Sequence, residues 1–149
     1  MAFSMALTYY PSPGEVLMCD FSTSFREPEM VKTRPVVVVS RKFQTTSAVH
    51  SICTVVPVST QSPRSPSRWH HKLAIDSMPI PLGKDGVDSW AKCDMVVSVG
   101  FNRLDKVRTG RVDGKRIFVE HRVIPEDLQA IQACLLYVLN MAHLIPSRE

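Results

Sequence analysis

Short Val-rich apolar runs alternate along this chain with polar stretches rich in Pro, Ser and Gly. Residues 14–21 (GEVLMCDF), 35–40 (PVVVVS) and 52–58 (ICTVVPV) are too short for typical helices and predict buried strands. Residues 69–76 alternate instead. Trp69, His71, Leu73 and Ile75 fall on one side and His70, Lys72, Ala74 and Asp76 on the other, which predicts a half-exposed strand. Residues 89–99 and 116–124 predict two more strands. The second is preceded by Asp113-Gly114, suited to a tight hairpin turn because Gly tolerates positive φ. One segment has the helical period: Leu128, Ile131, Cys134, Leu135, Val138, Leu139 and Ala142 recur at spacings of three and four. They predict a helix over about 125–143, with Pro125 in its first turn and Glu126 and Asp127 complementing its N-terminal dipole. Strands closed by one C-terminal helix predict a mainly β protein, a small, strongly bent antiparallel sheet or barrel. Two polar loops, 22–33 (STSFREPEMVKT) and 61–68 (QSPRSPSR), are candidates to carry function.

With 149 residues and no internal repeat or sharp shift in composition, the whole of 1–149 is expected to be one domain around one core. Hydrophobic residues at 44% and charged residues at 21% exclude disorder, collagen and coiled coil. No apolar run approaches a membrane span, and the N-terminus lacks a basic start and a cleavage site, so a cytoplasmic protein is expected. The four cysteines, Cys19, Cys53, Cys93 and Cys134, lie far apart in apolar segments, with no zinc-ligand spacing. They are expected to be small buried residues, and no metal or other cofactor is expected. A net charge of +4 and a pI near 9.0 lean mildly toward polyanionic partners.

Three segments together are more specific than any alone. Gly14-Glu15-Val16 runs on to Asp20-Phe21, Lys32-Thr33-Arg34-Pro35-Val36-Val37-Val38 follows a loop, and Val56-Pro57-Val58-Ser59-Thr60-Gln61-Ser62 comes third. In this order they resemble the MazF/PemK toxins of bacterial toxin–antitoxin systems, and Lys92-Cys93-Asp94 and the closing amphipathic helix extend the resemblance over roughly residues 13–140. The resemblance implies an SH3-like small barrel, a homodimer, an antitoxin protein as partner that binds near the 22–33 loop, and metal-independent, sequence-selective cleavage of single-stranded RNA. Cleavage of that kind proceeds by attack of a ribose 2′-hydroxyl on its own phosphate, leaving a 2′,3′-cyclic phosphate and a 5′-hydroxyl. It needs a base, an acid and positive charge at the phosphate.

Arg34 is the foremost cation, since a guanidinium fork matches phosphate oxygens and stays protonated, and the resemblance makes it catalytic. An Arg capping the start of a strand is the plainer alternative. Ser59 stands where the family has a catalytic or phosphate-contacting Thr and keeps the hydroxyl donor, with Thr60 beside it. A Ser-Thr pair also serves as a turn element. Lys92 and Asp94 match an Arg and an Asp proposed as acid and base in the family. Lys92 departs from the family pattern, and on a continuous strand the two would share a face or form a solvated ion pair. His70 and His71 titrate near neutrality, but as strand neighbours they point oppositely, so at most one enters a given site. Arg64 and Arg68 in the second loop are candidates to hold RNA phosphates, as are Arg103, Lys106, Arg108, Arg111, Lys115 and Arg116. Trp69, Trp90 and Phe25 are candidate stacking platforms or core residues. Two rival functions remain. One is gyrase poisoning on the same fold, disfavoured because residues 143–149 hold no Trp, the aromatic on which that activity relies. The other is a catalytically silent RNA-binding or regulatory member, kept open by Lys92.

Overall fold

The computed structural model describes residues 7–43, 51–65, 67–79, 82 and 86–145. Pro66 of the second loop and residues 146–149 lie outside the described residues. The strands are β1 (Val16–Asp20), β2 (Thr33–Val38), β3 (Ile52–Ser59), β4 (His70–Lys72), β5 (Trp90–Lys92), β6 (Val97–Gly100), β7 (Leu104–Asp105), β8 (Val107–Val112) and β9 (Lys115–Val119). One helix, α1 (Pro125–Val138), closes the fold. The main sheet runs β4-β5-β3-β2-β1-β7, all pairs antiparallel, and β6 branches onto the first half of β3. The result is a bent sheet with a branch, and among the described residues its ladder does not return on itself as a closed ring. β8 and β9 form a separate hairpin.

Strand parity divides the core into two layers. Val16, Val37, Val56, Val58 and Ala91 face α1 and pack with Ile131, Leu73 and Cys93. Leu17, Cys19, Val36, Val38, Cys53, Val55 and Val99 face the other way and pack with Phe21, Phe101 and Leu104. Phe25 and Met30 of the first loop lie over this second face.

Three expectations are corrected. The run 89–99 is two strands, because Cys93–Met95 forms a 3-10 turn that carries the chain from the second half of β3 to its first half. The strand expected over 69–76 stops at Lys72, and Ile75–Ser77 turns to meet the helix N-terminus. The helix ends at Val138, short of 143. Asn140 takes a left-handed conformation (φ 59°), and the amides of Asn140 and Met141 bond back to the carbonyls of Tyr137 and Leu136, closing the helix with a Schellman motif. Leu139 is consequently exposed rather than part of the buried stripe. The hairpin turn at Asp113-Gly114 forms as its sequence predicts, with φ of 52° and 76°.

The first turn of α1 is fastened by Asp127, which is buried. His71 Nε2 lies 2.8 Å from one carboxylate oxygen; the Ala74 amide, at 2.8 Å, and the Ser77 hydroxyl donate to the other. Ser77 Oγ in turn accepts the Ile124 amide at 3.0 Å, just ahead of Pro125. Burial pushes the Asp127 carboxyl up, but the hydrogen bonds from Ser77, His71 and the Ala74 amide outweigh it and hold the group below the usual Asp range.

Candidate active site

The face of the sheet that holds the second core layer turns polar at one end. Arg34 pairs with buried Cys19, so its side chain leaves β2 on that face. Continuing the β2–β3 register two residues past Val36 and Pro57 sets Arg34 across from Ser59. Ser59 pairs with Trp90, and Lys92, two residues on, pairs with His70. Parity therefore puts Arg34, Ser59, Trp90, Lys92 and His70 on one side of four adjacent strands, although they come from segments 58 residues apart at the extremes.

Their hydrogen bonding is incomplete. Arg34 Nε, His70 Nδ1 and Trp90 Nε1 are buried, with no hydrogen-bond partner among the described residues. A buried polar atom left unpaired costs about 1–3 kcal/mol, and three on one short stretch of sheet mark a place that stability alone did not select. Ser59 is nearly buried; its oxygen accepts the Gln61 amide at 3.1 Å, which leaves its O–H hydrogen free to donate.

Asp94 does not follow Lys92 along a strand, as the continuous-strand expectation required; it sits in the 3-10 turn after β5. No ion pair joins the two among the described residues. Both instead bear on His70, whose Nε2 is 3.9 Å from Asp94 Oδ1. Burial, and then the Lys92 charge, lower the His70 pKa against the opposing pull of Asp94, so the ring favours its neutral form. Asp94 also borders a cavity of about 470 Å³ whose other wall is the first loop, through Phe25, Pro28 and Met30.

The two histidines diverge as alternation requires. His70 joins Lys92 and Asp94, whereas His71 is held against Asp127 on the helix side. Thr60 and Arg64 are exposed beyond the end of β3. The Arg68 guanidinium lies 4.3 Å from the centre of the Tyr137 ring on α1, and Trp69 stacks on the same ring. Of the other basic residues, Arg103 donates to the carbonyls of Asp20 and Thr23, at 3.1 and 2.9 Å, and fixes the base of the first loop. Lys106 pairs with Glu120 and Arg108 with Asp105. Sequence reasoning missed the joint burial of Arg34, His70 and Trp90, because it arises from a register between strands that spacing within one strand does not encode. All four cysteines are free, and no cluster of three His, Cys, Asp or Glu side chains suited to a metal occurs among the described residues.

Fold and site geometry agree with what known proteins show. The crystal structure of MazF from Deinococcus radiodurans superposes with a TM-score of 0.61 at 19% identity, covering 89% of this chain and 99% of that one. A mycobacterial endoribonuclease in complex with its cognate antitoxin superposes at 0.53 and 16% identity, covering 93% and 99%. In sequence, the YifN protein of Escherichia coli (strain K12) is 30% identical over 159 residues, spanning 95% of this chain and 99% of YifN. The model of the PemK-like, MazF-like toxins of type II toxin–antitoxin systems matches residues 12–138, and the chain belongs to that family.

Proposed function

We propose that the chain is an endoribonuclease that cuts single-stranded RNA at the polar end of its sheet, without a metal ion. The observation that carries this reading is the set of unpaired buried nitrogens of Arg34, His70 and Trp90 beside the Ser59 hydroxyl and the Lys92 charge. A phosphodiester offers the missing acceptors. Arg34 and Ser59 would donate to its non-bridging oxygens and oppose the charge that builds there as the 2′-oxygen bonds to phosphorus and the bond to the 5′-oxygen breaks. Asp94 or the neutral His70 takes the 2′-hydroxyl proton, and Lys92 returns one to the departing 5′-oxygen. Lysine suits that last step, since it gives up a proton more readily than arginine when partly desolvated.

Thr60, Arg64 and Arg68 are then contacts for flanking nucleotides, and His71 acts only through the helix contact that aims β4. The cognate partner is an antitoxin that covers the first loop and the adjoining cavity, and the setting is the cytoplasm. A second copy of the chain is the natural cover for Leu139, Met141, Leu144 and Ile145, large apolar side chains exposed within one short stretch after α1. The gyrase-poisoning alternative has no comparable observation in its favour.

Initial cleavage rates of purified variants test the roles at the site. Lys92→Arg should keep or raise the rate, whereas Lys92→Ala and Asp94→Asn should each lower it, with thermal melting used to confirm folding. If Lys92→Ala and Asp94→Asn are both neutral in folded protein, the acid–base assignment is wrong.

A further inference from the structure

The β8–β9 hairpin stands outside the catalytic arrangement and carries an unusual pairing. Only its base is anchored: Val107 is buried in the helix-side core and Val119 packs beside it. Beyond that base every residue of β8 is exposed. Arg111 and Arg116 are direct cross-strand partners, and Arg108 pairs with Phe118. A bulge between Arg108 and Gly110 adds one residue to β8, so Arg108, Arg111, Arg116 and Phe118 share the face opposite Val107 and Val119, turned away from the body. Like charges directly opposite one another destabilise a ladder, their Cβ atoms being roughly 5 Å apart. Arg108 and Lys106 at the base are neutralised by Asp105 and Glu120. Among the described residues Arg111, Arg116 and Lys115 have no ion-pair partner. A two-stranded ribbon is marginal by itself, so an arginine pair at its tip is a cost without a structural return.

The base of the ribbon also faces the proposed cutting site. A cleft of about 390 Å³ is lined by Lys106 and Arg108 on one side and by Asp20 and Thr33 on the other, and Thr33 immediately precedes Arg34. We propose that the β8–β9 ribbon is an arm that holds the backbone of single-stranded RNA outside the cutting site, with one phosphate seated between Arg111 and Arg116. An anion there removes the repulsion that the ladder otherwise bears, and Phe118 supplies a ring beside it for an unpaired base. The inference rests on the ribonuclease reading for its ligand, but it concerns binding rather than cleavage.

The test is binding of a mixed-sequence 2′-O-methyl RNA, which has no free 2′-hydroxyl to attack, measured by fluorescence anisotropy across a salt series. Arg111→Gln/Arg116→Gln should bind roughly tenfold more weakly at about 100 mM salt, with a log–log salt slope shallower by about 1.4, two phosphate contacts' worth. Its melting temperature should equal or exceed that of the wild type, because the like-charge pair is gone. An unchanged affinity and slope overturns the arm, as does wild-type protein that fails to bind at low salt. A variant with altered mass in sedimentation also overturns it and assigns the ribbon to contact between copies. The two readings separate cleanly: wild-type protein that cuts ordinary RNA while the variant binds normally sinks only the arm. Salt-sensitive binding lost in the variant, with ordinary RNA left uncut by the wild type, supports the arm and sinks the ribonuclease.

Discussion

Arg34→Lys should lose RNA-cleaving activity by roughly 100-fold or more, the scale set by removal of a single oxyanion donor elsewhere, in a protein that melts as the wild type does. The charge is kept, so the loss isolates geometry. A guanidinium presents Nε and two terminal nitrogens in one plane, and here Nε is already buried and unpaired at the end of the sheet face. A lysine ammonium is a point charge on a flexible stem and cannot fill both the buried position and the phosphate contact. Stability should change little or rise slightly, because an unpaired buried donor is removed. Initial rates on one RNA substrate, alongside melting curves, decide it. Wild-type rates in Arg34→Lys would remove Arg34 from the centre of the site.

The largest effect on stability is expected at Asp127. Its carboxylate takes hydrogen bonds from the Ala74 amide and the Ser77 hydroxyl and holds His71, so it joins β4, the turn after it and α1 at one point. Asp127→Ala leaves those groups unpaired in a buried place. The expected cost is about 3 kcal/mol, which lowers Tm by roughly 10 °C for a chain of this size. A pH dependence follows from the lowered pKa of the carboxyl. The unfolded chain binds this proton more readily than the folded one, so the stabilisation is complete above about pH 4, the ordinary Asp value. It is lost as the pH falls through the lowered folded value. Asp127→Asn should therefore be destabilised at neutral pH, with a shallower loss in acid. Denaturant melts at several pH values check both, and a wild-type midpoint in Asp127→Ala would show that the clamp contributes nothing.

Asp127 also marks the limit of what the sequence discloses. Its place in the first helical turn is legible from Pro125 and the apolar period, and the dipole argument accounts for an acid there. Its partners His71, Ala74 and Ser77 are about fifty residues away, and no local spacing points to them. The same holds for the site. Alternation alone separates His70 from His71, and the ordered Arg-Pro-Val and Val-Pro-Val-Ser-Thr segments point to the family. That Arg34, Ser59, Trp90, Lys92 and His70 share one face depends on the registers of three ladders. Elements were misread where burial and period part company. β8 (VRTGRV) is exposed almost throughout and has no apolar alternation to betray a strand. Cys93–Met95 is apolar enough to look like continuous strand, yet turns because β3 takes its two partners on one edge in succession.

The most direct measurement is the chemistry of the cut ends. Purified protein and its Arg34→Lys variant are incubated with one long RNA in excess chelator, and the products are mapped for their 3′ and 5′ termini. The expected result is discrete cuts by the wild type, each leaving a 2′,3′-cyclic phosphate and a 5′-hydroxyl, with few or none from the variant. RNA left intact by excess wild-type protein, or cuts that appear only when magnesium is restored, would contradict a metal-independent ribonuclease built on Arg34.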